Sequence, residues 1–203
     1  MKLKILARLR AEGVIARAPG AFSENGRELI TGAIEDSFRR EAIQQLYRLH
    51  DHEAQAQQEA FDLMKRQARH FPVIERLQEV PGIGLRLACR FVAYIQNPHR
   101  FATKRKLWRY CRLGITRPES NGKLLHYQKL DHNGVGRLKD LSRKAFHGAM
   151  ACSKSNVFQR FYNASVERTG NAVHARLSTQ RKILTVLWTL WKKGTRYDDN
   201  YMG

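Results

Sequence analysis

The sequence predicts a mainly α-helical protein, with a long helical, coiled-coil-like segment followed by a helical domain that contains a helix-hairpin-helix and a short irregular or β-hairpin loop. Three observations predict it. Apolar residues recur at three- and four-residue steps over most of the chain, glycine and proline gather at a few breakpoints, and strand-like alternation is confined to residues 113–131. A chain of 203 residues has room for two small domains. The expected division is 1–75, a helical linker and dimerisation segment, and 76–203, a nucleic-acid-binding domain.

The chain opens on MKLKILARLR, in which basic and apolar residues alternate without the continuous apolar core of a secretion signal. A short basic helix is expected there. Pro19, Gly20, Asn25 and Gly26 then supply turn formers that separate it from the downstream helices. Residues 43–71 carry a heptad seam: Ile43, Tyr47, His50, Ala54, Gln57, Phe61, Met64, Ala68 and Phe71 alternate four- and three-residue steps. The polar His50 and Gln57 weaken a free coiled coil while helping to fix its register. Such a seam serves either a homo-oligomer or a long helix packed on its own domain.

Beyond Pro81, helices are expected near 84–96, 103–112, 136–152, 156–168 and 172–193. Gly114, Pro118 and Gly122 break helices in between, and Leu124, His126 and Gln128 alternate as in a short strand or hairpin. Cys89, Cys111 and Cys152 are odd in number, far apart and without a CxxC partner, so they predict small buried residues rather than a disulfide framework or a zinc site.

Charge points to the partner. The chain has 37 Lys+Arg against 18 Asp+Glu, a net charge of +19. By segment the balance is +1 for residues 1–80, +12 for 81–150 and +6 for 151–203. An excess concentrated in this way is the footprint of a polyanion, most commonly nucleic acid. An anionic membrane surface is the competing partner, but no apolar run is long enough to span a bilayer. A cytoplasmic, nucleoid-associated protein is expected, with no membrane partner.

Three stretches are candidates for contact or chemistry. In Val80-Pro81-Gly82-Ile83-Gly84, set between apolar-periodic segments, bare backbone N–H groups and the next helix N-terminus can hold a phosphate oxygen. Gly82, Ile83, Gly84 and Arg86 are the binding candidates, with Arg90 one turn on; a plain tight turn between packed helices is the alternative. In the run from Phe101 to Arg112, Leu107, Trp108 and Cys111 form an apolar stripe. Lys104, Arg105, Arg109 and Arg112 then lie largely opposite, as backbone contacts or as a solvated face.

The third stretch is TRPESNGK, followed by DHNG and the helix start VGRLK. Ser120 is a hydroxyl flanked by Arg117 and Lys123, with Arg137 and Lys139 on the helix beyond. A serine attacking a phosphodiester needs such cations on the non-bridging oxygens, although a lone loop serine is more often a turn residue. His126 and His132 are candidates for proton transfer. No carboxylate pair has metal-site spacing, so no metal ligands are expected.

The ordered blocks LQEVPGIGLRLACRFVAYIQNPHRF, KLWRYCRLGITRPESNGK, KLDHNGVGRLKDLSRKA and RKILTVLWTLWKKGTRYDD resemble the insertion-sequence 110/116/902 family of transposases, over residues from about 40 to 199. The resemblance implies DNA recombination by a helical C-terminal domain with a serine nucleophile, joined through a coiled coil to an N-terminal ribonuclease-H-like domain. It also implies a structured guide RNA, and magnesium held by carboxylates of that N-terminal domain and not by this chain. On the family pattern the nucleophile falls on Ser120, and DHNG corresponds to the turn that leads into an Arg-Leu helix. The sequence departs from the pattern in reading SNGK where the family has SGK or SSG. Residues 1–40 supply none of the expected metal-binding acids, so the resemblance implies a truncated C-terminal part that needs its metal domain for cleavage. The alternative function is a non-catalytic helix-hairpin-helix module that grips DNA or RNA.

Overall fold

A computed structural model describes residues 1–16, 20–116, 119–120, 123–124 and 129–199, with residues 119–120 and 123–124 described by their backbone alone. The described chain is mainly helical, as the periodicity predicts. It divides into two compact units, Met1–Met64 and Lys65–Gly203.

In the first unit, α1 (Lys2–Ala11) and α2 (Glu24–Gly32) precede the long α3 (Ser37–Ala68). The Ser23 side chain accepts from the Gly26 amide and starts α2, filling one of the orphan donors at a helix N-terminus. The core is small: Ile5 and Leu9 of α1 meet Ile34, Ile43 and Tyr47. The Tyr47 hydroxyl donates to the Ala21 carbonyl at 2.8 Å. Arg27 lies over the Tyr47 ring and donates to both carboxylate oxygens of Asp51, which holds that carboxyl down at about 2. Two members of the heptad seam, Ile43 and Tyr47, are therefore spent on this unit's own core. Residues 51–60 of the same helix are exposed, Phe61 and Met64 half-buried. The helix stops at Ala68, short of Phe71, because Pro72 starts α4 (Pro72–Gln78) and keeps the residue before it out of the helical region.

The second unit holds α4, α5 (Leu85–Ile95), α6 (Lys104–Tyr110), α7 (Gly136–Met150), α8 (Val157–Thr169) and α9 (Ala172–Lys193). Asn156 closes a capping box on α8, Thr103 and Asn171 cap α6 and α9, and left-handed Gly170 and Gly194 end α8 and α9. The apolar stripe of each helix turns inward on one core that includes Leu77, Phe91, Leu107, Leu138, Phe158 and Leu187. Helix α9 runs through its middle, packing on α4, α6, α7 and α8. Between α6 and α7 lie two antiparallel pairs: β1 (Ile115–Thr116) with β4 (Lys129–Leu130), and β2 (Glu119–Ser120) with β3 (Lys123–Leu124). This is the hairpin that the alternation around Leu124 predicts; His126 and Gln128 lie outside the described residues. Cys111 is buried, its thiol pushed up to about 12 by desolvation, whereas Cys89 and Cys152 are only half-buried.

The turn between α4 and α5 is built for packing. Gly82 has φ +83°, and a Cβ there would lie 2.3 Å from the Ala145 carbonyl oxygen and 2.4 Å from the Ala149 nitrogen. Gly148 faces it, so two bare backbones touch where α7 crosses the turn. Val80 and Ile83 are buried on either side. We expect Gly82→Ala to destabilise the second unit by about 2–4 kcal/mol, combining left-handed strain with overpacking against backbone. Gly84→Ala, with open space around it, should cost less than about 1 kcal/mol. Urea unfolding of the two variants checks this, and equal losses would contradict it.

Candidate nucleic-acid interface

Helix α6 presents the arrangement its sequence predicts. Leu107 is fully buried, Trp108 half-buried, and Lys104, Arg105 and Arg109 are exposed on the outer face. Arg112 departs from this. It lies past the helix end in the left-handed region, at φ 56°, and its Nε donates to the Gly134 carbonyl at 2.8 Å. Its side chain is committed to holding the loop that returns from β4.

That return is fixed by several bonds. The Asp131 amide donates to the Gly114 carbonyl at 2.8 Å, and the Val135 amide to the Tyr110 carbonyl at 2.7 Å. Asp131, only 6% exposed, accepts from the Asn133 amide at 2.9 Å and from Arg109 Nε at 2.7 Å. These two donors, the amide first, hold its carboxyl below the usual value of 3.8. Gly134 has φ +113° and approaches the end of α6 so closely that a Cβ would stand 2.4 Å from the Tyr110 carbonyl oxygen. The DHNG turn is thus a clasp on the C-terminal end of α6, and β1 and β4 leave from it side by side.

Beside the clasp is a cleft of about 420 Å³ lined by Arg105, Trp108, Arg109, Gly114, Thr116 and Arg181. Arg181 comes from α9 and is not among the candidates by sequence. It is 8% exposed and donates through Nε to the Leu113 carbonyl at 2.8 Å. Its guanidinium stands 5.8 Å from the Trp108 ring, whose Nε1 donates to Thr185 Oγ1 at 3.0 Å. Burial lowers the pKa of this arginine. The sequence does carry a signal for it: Arg181 falls in helical step with Leu177, Leu184 and Trp188, on the face that a core helix buries.

The other predicted cations divide. Arg137 is exposed in the first turn of α7, while Lys139 lines a separate cleft of about 500 Å³ with Asp140, Arg143 and His147. Asp140 is held by Arg143 and Lys144 at 2.9 Å each. Gly84 and Arg86 are exposed at the start of α5 and line neither cleft; Ile83 is buried. Arg117 lies outside the described residues. Ser120 and Lys123 are paired in backbone register across β2 and β3. Among the described residues no three His, Cys, Asp or Glu side chains converge as metal ligands, and no helix is long and apolar enough to cross a membrane.

Comparison with known proteins adds a second line of observation. Residues 74–163, from α4 into α8, match the family model described as "Transposase IS116/IS110/IS902 family". The chain is 27% identical over 128 residues to the "Insertion element IS110 uncharacterized 43.6 kDa protein" of Streptomyces coelicolor, a match covering 63% of this chain and 31% of that protein. The chain thus spans under a third of the length of this curated relative.

The clasp makes a pH prediction. A carboxyl whose folded value is lowered stabilises the turn above its unfolded value of 3.8 and loses that effect as pH falls through the lower folded value. The Asn133 amide resonance should therefore titrate with a midpoint below 3.8. Asp131→Ala should abolish the titration and speed hydrogen exchange at Asn133 and Val135. A midpoint at or above the ordinary value would show that the clasp does not hold Asp131.

Proposed function

We propose, for a chain whose residues 74–163 match the transposase IS116/IS110/IS902 family model, a role in DNA recombination in which the second unit binds the strands to be joined and Ser120 is the nucleophile. The observation that carries the reading is the clasp. It ties β1 and β4, the base of the segment containing Ser120, to the end of the helix that exposes Lys104, Arg105 and Arg109. A strand lying along that basic face brings its phosphates to the loop.

In the proposed step the serine oxygen attacks phosphorus and gives up its proton to a nearby base, for which His132 in the clasp is the described candidate. One bridging P–O bond breaks, the departing oxygen is protonated, and the strand stays esterified to the protein. A hydroxyl of a second strand then attacks the same phosphorus and releases the serine. Arg117 and Lys123, flanking the serine in sequence, would offset charge on the non-bridging oxygens. Exposed Lys104, Arg105, Arg109 and Arg137 position backbone, and Gly84 with Arg86 at the start of α5 offers a further phosphate contact. Gly82 also serves the fold through its contact with α7. Lys139 extends the surface along α7.

The described residues do not fit the magnesium ion that the family resemblance implies, and no step of the reaction is routed through it. A structured guide RNA is a further proposed partner, as is a second copy of this chain. For the latter, the seam beyond Tyr47 offers exposed Ala54 and Gln57 and half-buried Phe61 and Met64.

Two measurements test the reading. With a nicked or suicide duplex, magnesium, candidate RNA and a separately supplied ribonuclease-H-like domain, a covalent protein–DNA band should appear on a denaturing gel and vanish with Ser120→Ala. Salt-sensitive binding with no such band would leave the binding-module alternative. For duplex binding, log K should fall with log salt at a slope of about −3 to −4 if the four exposed cations each contact a phosphate. Arg105→Ala should flatten that slope by about 1. A salt-independent complex would overturn the electrostatic basis of the reading.

A further inference from the structure

A second cleft, of about 340 Å³, adjoins the first. Its lining includes Lys104, Trp108, Phe161, Arg181, Lys182 and Thr185. Trp108 and Arg181 line both clefts. One of the Arg181 guanidinium nitrogens, Nε, is used on the Leu113 carbonyl. Among the residues whose side chains are described, which leaves out Glu119, no carboxylate lies within ion-pair distance of the other two. Arg181 as a residue is 8% exposed, a guanidinium in such a recess is costly without a counter-charge, and its planar pair of terminal N–H groups matches two oxygens of one phosphate.

The surroundings narrow the class of anion. Trp108 and Phe161 are both half-exposed. Lys182 Nζ stands 4.9 Å over Phe161 and Lys104 Nζ 5.9 Å over Trp108, so cations and rings interleave along the cleft. The two volumes fall in the range of sites that hold a small organic group rather than a bare ion. Phosphates on the outside of a duplex meet exposed side chains such as Arg105, but a duplex cannot lower one into a recess. An unpaired strand can, and its freed base has aromatic faces on which to stack.

We propose that the paired clefts around Arg181 bind one unpaired nucleotide, its phosphate on the Arg181 guanidinium and its base against Trp108 and Phe161. The proposal rests on the nucleic-acid reading of the second unit and adds to it a recess for single-stranded chain beside the exposed duplex face, whose Lys104, Arg105 and Arg109 stand at the rims of the two clefts. DNA and RNA strands share the required chemistry.

The test is fluorescence anisotropy with the full chain, at one salt concentration, using labelled oligothymidine, labelled oligouridine and a mixed-sequence duplex. The variants are Lys182→Ala with Phe161→Ala at the rim, and Arg181→Gln, which keeps a donor toward Leu113. Each is first checked by thermal melting. If Arg181→Gln does not fold, the rim variant alone decides.

Affinity for the single strand should fall about tenfold or more while duplex affinity stays within twofold of the parent. Whichever of the two single strands binds tighter identifies the source of the nucleotide. Equal losses on single strand and duplex, or no loss on either, would overturn the site. A parent chain that binds single strands but no duplex would sink the duplex-face reading and leave this site standing.

Discussion

The hydrogen bond from Arg181 to the Leu113 carbonyl joins the two parts of the second unit that have least in common: the apolar helix at its centre and the polar segment at its edge. Helix α9 supplies the centre. Ile183, Leu184, Leu187 and Leu190 are all essentially buried, and each contributes roughly 1.5–3 kcal/mol relative to an exposed side chain. Against a net stability of about 5–15 kcal/mol for a domain, those four residues alone decide whether the unit folds. The family match ends at residue 163, before α9 begins. The matched helices therefore depend on a helix outside the match to complete their core.

At the edge, the chain must leave α6, run through two short strand pairs and come back to start α7. Strands of two residues have too few ladder bonds to hold themselves, so their position is set from outside. Gly134 lets the returning backbone touch the end of α6, Asp131 caps the turn and engages Arg109, and Arg112 reaches back to Gly134. Arg112 does this from a left-handed conformation that costs a non-glycine residue about 1–2 kcal/mol. The bond to Gly134 and the packing of the turn offset that cost.

Helix positions are largely legible in the sequence because the apolar period, the caps and the breakers agree with one another over α5, α7, α8 and α9. Elsewhere one pattern admits two readings. A heptad seam looks the same whether its partner is another chain or the helix's own unit, and α3 uses Ile43 and Tyr47 inward while leaving residues 51–60 to solvent. Gly82 reads as a phosphate-binding glycine because sequence shows the missing side chain and not the neighbour that needs it missing; that neighbour is α7, distant in sequence. Arg181 escapes notice for a related reason. A charged residue in a basic chain reads as surface, and only its step with Leu177 and Leu184 betrays burial. The role proposed for Ser120 rests on its sequence context, since a hydroxyl acquires reactivity from groups the fold brings to it and residue 120 is described by its backbone alone.

The cations of the second unit are consequently not one class. Arg109 is half of a structural ion pair whose other half is buried, so its removal would loosen the clasp as well as remove charge. Arg105 and Arg137 are exposed, and the phosphate contacts proposed for them are screened by salt. Arg181 is recessed, where screening is weak and a wrong or absent anion is costly. On the proposed reading, a surface made of the first two kinds would attract any nucleic acid and hold it in register. Discrimination between a paired and an unpaired strand would then come from the third kind, because only a recessed group requires the ligand to change shape in order to reach it.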